Sequence, residues 1–160
     1  MSENQVTVID LLYQLLLDEY LQRDVYETYS YYLFGLCSPA LQEHLKSHRD
    51  EEDKHIEILQ RYLMGFGAPP LLERSQIPEI DPPIREILKA NLRLEIEAVE
   101  GYAKAIEVLE GLSKNGDRAR ITALRVDLEN ILVQEQEHLH DLTQWLKSES
   151  GPSRSISQEG

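Results

Sequence analysis

One cysteine, Cys37, and two methionines, Met1 and Met64, are all the sulfur in this 160-residue chain. An intramolecular disulfide is therefore excluded, and the composition suits a reducing, cytoplasmic compartment. Long apolar runs are also missing, since no stretch approaches the roughly 20 residues needed to span a bilayer. The most apolar segment, Val6 to Leu17, is broken by Asp10 and follows no basic cluster, so it reads as a first helix and not as a signal peptide. Positive charge is scarce, with 16 Lys and Arg against 29 Asp and Glu and a net charge of −13. That balance disfavours a phosphate-binding surface, and the N-terminus, Met1-Ser2-Glu3-Asn4-Gln5, offers no basic arm. Neither nucleic acid nor a membrane is an expected partner. With 41% hydrophobic and 28% charged residues, the chain has an ordinary soluble balance and the length to bury one core.

Against this background one pattern occurs twice. Glu19 is followed by Tyr26 and then by Glu52 and His55; Glu95 is followed by Tyr102 and then by Glu135 and His138. Each copy supplies a lone Glu and a Glu-x-x-His, whose two side chains lie on one helix face and can reach one ion. A single Glu-x-x-His is weak, and the chain holds a third, Glu137 with His140. Phase separates them. On the heptad-like stripe Ile121, Leu124, Leu128, Ile131, Glu135, His138, Leu142, Trp145, the pair Glu135 and His138 takes consecutive core positions, whereas Glu137 and His140 fall on the opposite face. The stripes Leu41, Leu45, His48, Glu52, His55, Leu59, Tyr62 and Val8, Leu12, Leu15, Glu19, Gln22, Tyr26, Tyr29, Leu33 behave alike. A fourth, Ile84, Leu88, Asn91, Glu95, Ala98, Tyr102, Ala105, Leu109, selects Glu95 over Glu97 and Glu100.

Four helices thus each direct a carboxylate inward, and no Lys or Arg lies on any stripe to balance them. Unpaired buried carboxylates cost several kcal/mol each or stay protonated. Two divalent cations would cancel four carboxylate charges, with neutral imidazoles completing the coordination. A Glu from each of two helices with Glu-x-x-His from the other two is the di-iron or di-manganese carboxylate arrangement. An empty site of this kind leads us to expect that alanine at Glu52 or Glu135 preserves or raises metal-free stability, by relieving repulsion.

Helix punctuation predicts an all-α fold. Ser38-Pro39 opens the second helix, Gly65 and Gly67 before Pro69-Pro70 close it, Asp81-Pro82-Pro83 opens the third and Asn115-Gly116 turns into the fourth. Short links make helices one and two, and three and four, antiparallel neighbours. A crossover of about fifteen residues between helices two and three gives the one-crossover bundle. Glu19 to Glu52 spans 33 residues and Glu95 to Glu135 spans 40. The seven extra residues lengthen the second hairpin by about one turn, roughly 5 Å, and keep every ligand in phase. Residues 1–147 are read as one bundle and 148–160 as a polar, disordered tail.

The chain resembles the ferritin-like superfamily, and most closely the bacterioferritins, over roughly residues 8 to 147. The likeness rests on Glu19, Tyr26, Glu52, His55, Glu95, Tyr102, Glu135 and His138, on the crossover beginning Gly67-Ala68-Pro69-Pro70, and on Leu92-Arg93-Leu94-Glu95-Ile96-Glu97. It implies a ferritin-like antiparallel four-helix bundle in which Glu19, Glu52 and His55 serve one iron and Glu95, Glu135 and His138 the other. Glu52 and Glu135 would bridge. Two departures stand out. Bacterioferritins bind haem through a Met immediately after the Glu of the first Glu-x-x-His, and here that residue is Asp53, so haem is not expected. No apolar fifth helix follows the bundle, which weakens the case for a 24-subunit shell and makes a Dps-like dodecamer comparable.

The resemblance implies a ferroxidase that oxidises ferrous iron with dioxygen or hydrogen peroxide and stores it in a homo-oligomeric, dimer-based shell. The alternatives are another di-iron or di-manganese enzyme, a peroxide-consuming catalase or an oxygenase without mineral storage, and a metal-stabilised structural bundle. Tyr26 and Tyr102 either hydrogen-bond ligand carboxylates, donate an electron, or pack as core aromatics. His48, with His44 one turn further, can orient a carboxylate, carry iron, or sit as a satisfied core histidine. Asp18 and Glu51 are weaker candidates. Leu11, Leu16, Tyr20 and Tyr31 lie off the core stripe and are expected to be exposed, giving an apolar patch that a dimer would cover. The aromatic run Tyr29, Tyr31, Tyr32, Phe34 fits the same interface.

Overall fold

The computed structural model describes residues 3–33, 38–79, 83–112 and 118–149. Four helices account for nearly all of them: α1 (Glu3–Leu33), α2 (Pro39–Gly65), α3 (Ile84–Leu112) and α4 (Arg118–Glu149), with no strand among the described residues. Pro39 sits in the first turn of α2, where its missing N–H costs nothing. Ser38 caps through its backbone carbonyl, which accepts the Gln42 N–H at 3.0 Å, and not through its side chain. The end of α2 is a Schellman turn: Gly67 N–H donates to Met64 O and Ala68 N–H to Leu63 O. Gly67 takes the left-handed φ of 79° that this turn demands, and Pro69-Pro70 cannot continue the helix. At the start of α3 the Pro83 carbonyl accepts from Glu86 and Ile87. Phe34, Cys37, Asp81, Pro82, Asn115, Gly116 and residues 150–160 lie outside the described residues.

Helix ends give the topology. The Arg120 guanidinium at the start of α4 donates to Gly65 O at the end of α2, and Trp145 near the end of α4 packs its ring 5.8 Å from His44 near the start of α2. These two helices therefore run antiparallel. The crossover, described over residues 66–79, travels the length of α1. Tyr13 donates to Pro69 O near one end of α1, and Tyr29 donates to Pro78 O near the other. This is the four-helix ferritin-like bundle with one long crossover. Helix α3 continues seventeen residues beyond Glu95 and α1 fourteen beyond Glu19, so the second hairpin is about one turn longer on that helix.

Burial overturns one expectation. Leu16 and Tyr20, read as exposed, are buried: Leu16 belongs to the core cluster, and the crossover reaches over Tyr20. Arg74 lies 3.3 Å over the Tyr20 ring, and Gln60 donates to the Tyr20 hydroxyl. Helix α1 accordingly lacks a clean division into apolar and polar faces: Glu19 and Gln22 lie in the core, while Leu16 and Tyr20 are buried off the core stripe. Leu11 is half-buried against the core, while Tyr31 and Tyr32 remain exposed.

The four sequence stripes face the bundle axis, with Ile84, Tyr62 and Trp145 at their ends only partly covered. The interior divides into two apolar clusters. One gathers Leu12, Leu16, Leu59, Leu109, Ile121 and Leu128; the other gathers Val25, Tyr29, Leu41, Leu45, Leu88 and Leu142. Between them lies a polar layer, and this is where the ligand pattern falls.

Candidate metal centre

Glu19, Glu52, Glu95, Glu135, His55 and His138 are all buried, the four carboxylates completely. Two groups of potential ligand atoms converge: Glu19, Glu52, His55 and Glu135 in one, Glu52, Glu95, Glu135 and His138 in the other. Glu52 and Glu135 belong to both. Each group offers three carboxylates and one imidazole within 4.8 Å, a spacing that an ion could occupy. Asp18 joins neither group, and Glu137 and His140 are exposed as their phase required.

Hydrogen bonds from outside engage one oxygen of each lone Glu and leave the other without a partner. Tyr26 on α1 donates to Glu95 Oε1 on α3, and Tyr102 on α3 donates to Glu19 Oε1 on α1. The other oxygens, Glu19 Oε2 and Glu95 Oε2, are buried without a hydrogen-bond partner, as are both oxygens of Glu135 and Glu52 Oε1. The imidazoles are held crosswise. His55 Nε2 on α2 lies 2.8 Å from Gln134 Oε1 on α4, and His138 Nε2 on α4 lies 2.6 Å from Glu51 Oε2 on α2. With those acceptors taking the Nε2 hydrogen, each Nδ1 faces the centre. His55 Nδ1 is 3.0 Å from Glu52 Oε2, 2.9 Å from Glu135 Oε1 and 3.3 Å from Glu19 Oε2. His138 Nδ1 is 3.2 Å from Glu52 Oε1.

Glu51 was a weak candidate in the sequence and Gln134 was none. Both immediately precede the Glu of a Glu-x-x-His, so comparing the two copies one residue upstream of the motif would have found the pair. Outer partners of this kind fix the tautomer and orientation of a metal-binding imidazole.

The electrostatics of this layer favour positive charge. Burial first, then the charges of Glu52 and Glu135, push the Glu19 carboxyl far above its usual range. Burial and the same two carboxylates, Glu135 foremost, do so for Glu95. Burial also acts to raise Glu135, but the facing His138 and His55 imidazoles outweigh it and hold this carboxylate below the usual range. Burial opposes the charge on His55 and His138, yet the surrounding carboxylates overcome it. His55 is strongly raised, and His138 is pushed up to about 12. Burial and the adjacent Glu95 or Glu19 raise Tyr26 and Tyr102, so both hydroxyls keep their hydrogens. Protons thus occupy the place of positive charge. The unpartnered carboxylate oxygens and two inward imidazole nitrogens, all hard or borderline donors, fit two divalent transition-metal ions.

His48 and His44 lie beyond His138. The His48 ring stacks on His138 at 4.0 Å, its Nδ1 lies 3.2 Å from the Tyr26 hydroxyl, and the His44 ring follows at 4.2 Å. Burial, then the neighbouring His138 and His44, lowers His48 to about 2, and burial lowers His44, so both are neutral near pH 7. Asp53 is exposed and lies 3.6 Å from Arg23, and Met64 is exposed at the end of α2. No helix among the described residues is long and apolar enough to cross a membrane.

Comparison with known proteins agrees with this architecture. None of the curated proteins compared with the sequence matches it. A solved ferritin-like, diiron-carboxylate protein from Bacillus anthracis str. Ames superposes with a TM-score of 0.81 at 23% identity, over 91% of this chain and 99% of that one. At that identity the likeness shows the fold. The pattern of the ferritin-like domain family matches residues 9–150, and the chain belongs to that family.

Proposed function

We propose that this protein is a non-haem di-iron ferroxidase that oxidises ferrous iron with dioxygen or hydrogen peroxide. One observation carries the reading: two four-residue donor groups share Glu52 and Glu135, so two metal positions stand side by side in an all-carboxylate and imidazole site. Glu19, Glu52 and His55 would hold one iron and Glu95, Glu135 and His138 the other. Oxygen-rich, anionic surroundings favour the ferric over the ferrous state, and two ferrous ions together supply the two electrons that reduce dioxygen to hydrogen peroxide with two protons. The chain's own part is preorganisation. Tyr26 and Tyr102 turn Glu95 and Glu19 so that one oxygen of each faces inward. Gln134 and Glu51 hold His55 and His138 with Nδ1 inward. The apolar clusters on either side exclude water from the layer between them.

The test is anaerobic loading with ferrous ion followed by exposure to oxygen or peroxide, monitored by ferric absorbance. Rapid oxidation in the wild type and its loss in Glu52→Ala and Glu135→Ala are expected. Unchanged oxidation in both variants would remove the di-metal reading.

Storage in a closed homo-oligomer of dimers, a dodecamer or a 24-mer in the cytoplasm, is the second part of the proposal. It rests on the family and on Tyr31 and Tyr32, which α1 leaves exposed. Native mass with iron content after oxidation tests it, since a hollow assembly should hold many irons per chain. The proposal includes no haem, because Asp53 offers a hard carboxylate where a soft thioether is required. A stoichiometric Soret band after expression with a haem precursor would overturn that part.

A further inference from the structure

Beyond the di-metal layer, the potential ligand groups continue toward the surface. His48, Glu95 and His138 form a third group, and His44, His48 and Asp141 a fourth. Each group shares a residue with the next, so a chain of donors runs from the buried centre to Asp141, whose side chain is 48% exposed. At its outer end an open cavity of about 370 Å³ is lined by His44, Asp141, Gln144, Trp145 and Ser148.

The outermost group has the features of a site in its own right. His44 and His48 are one turn apart on α2, the spacing at which two imidazoles on one helix face share a metal. Tyr26 gives its hydroxyl hydrogen to Glu95, so its oxygen accepts from His48 Nδ1. That assigns the His48 tautomer and leaves Nε2 without a hydrogen, 3.9 Å from Asp141 Oδ2. His44 Nε2 is buried, has no hydrogen-bond partner, and lies 4.0 Å from the same oxygen. His48 is only 4% exposed. Two imidazole nitrogens and one carboxylate oxygen therefore converge with no hydrogen assigned between them. Ligand bonds of about 2.0–2.2 Å at a tetrahedral angle put ligand atoms about 3.4 Å apart. Asp141 must come in by about half an ångström, and its exposed side chain is free to do so.

We propose that His44, His48 and Asp141 form a third metal site for a divalent first-row transition ion, at the mouth of the donor chain leading to the di-metal centre. Two neutral nitrogens and one carboxylate suit iron, cobalt, nickel, copper or zinc, and not the all-oxygen preferences of magnesium or calcium. The site is built of residues separate from the six ligands of the centre.

Cobalt(II) titration without oxygen, by calorimetry and visible absorption, tests it directly. The wild type should bind three cobalt ions per chain, and His44→Ala and the nearly isosteric Asp141→Asn should each bind two. A Glu52→Ala, Glu135→Ala double variant should retain one, and that one should disappear when His44→Ala is added. Two ions in the wild type, unchanged in His44→Ala, would overturn the third site and leave the di-metal centre standing. A single ion in the wild type that is lost in His44→Ala would support the third site and refute the di-metal reading instead. Three ions persisting in both His44→Ala and Asp141→Asn would also overturn the proposal.

Discussion

Tyr26 on α1 donates its hydroxyl hydrogen to Glu95 on α3, and the same relation recurs in reverse between Tyr102 on α3 and Glu19 on α1. The two halves of the chain thus orient each other's terminal carboxylate, through helices that run antiparallel. Neither half could prepare its own.

Removing either hydroxyl should therefore weaken a metal position without unfolding the bundle. Tyr26→Phe and Tyr102→Phe keep the buried ring and lose only the hydrogen bond. Each is expected to lower the affinity of one metal position by about 10-fold to 100-fold, the range found for outer partners of ligands. A competition titration with zinc or cobalt measures it. Affinities equal to wild type in both variants would mean the hydroxyls merely find an acceptor.

The four carboxylates should differ in the metal-free protein. Sequence reasoning expected alanine at Glu52 or Glu135 to preserve or raise metal-free stability, and the geometry reverses this for Glu135. That carboxylate lies 2.9 Å from His55 Nδ1 and 3.6 Å from His138 Nδ1. Its loss leaves two buried imidazolium groups short of a counter-charge, at a cost of about 3–5 kcal/mol. Burial and the neighbouring carboxylates raise the Glu95 carboxyl, so Glu95→Gln removes a charge that its surroundings disfavour and should change the metal-free melting temperature less than Glu135→Ala does. Both variants should bind metal weakly. Equal melting temperatures for Glu135→Ala and wild type in a chelator would contradict this account.

Stability should respond to pH with opposite slopes in the presence and absence of metal. In the folded, metal-free chain Glu19, Glu95, His55 and His138 all titrate above their unfolded values. Through the window from about pH 6.5 to 9 the unfolded histidines have lost protons that the folded ones retain, so the folded state binds more protons and stability falls as pH rises. Metal binding expels those protons, and the loaded protein should gain stability as pH rises toward neutrality. Thermal melts from pH 5.5 to 9, in chelator and in excess zinc, read both slopes. A metal-free melting temperature that rises across the upper window would refute the assignment of charge.

Assembly should not depend on the polar tail. Deleting residues 150–160 removes no apolar helix face, and light scattering should report the same closed oligomer as the full chain. Collapse to monomers or dimers would place the assembly contacts in the tail. Because Leu16 and Tyr20 are buried, the patch available to a partner is smaller than the α1 sequence suggests, and Tyr31→Ser should weaken association more than changes at those buried positions.

By itself the sequence determined the four helices and the inward phase of Glu19, Glu52, His55, Glu95, Glu135 and His138. Each of these depends on periodicity within one helix, and Glu135 and His138 announce themselves by interrupting an apolar stripe at the right phase. The repeat also carried the extra turn of the second hairpin. What only the tertiary structure decided are contacts between helices. The crosswise support of His55 by Gln134 and of His138 by Glu51 depends on how far α2 slides against α4, which no local period encodes. The choice for Tyr26 and Tyr102 between packing and hydrogen bonding depends on the antiparallel register of α1 and α3. The covering of Tyr20 by Arg74 depends on the path of an irregular crossover, and a segment without repeating geometry leaves no periodic trace of where it will lie.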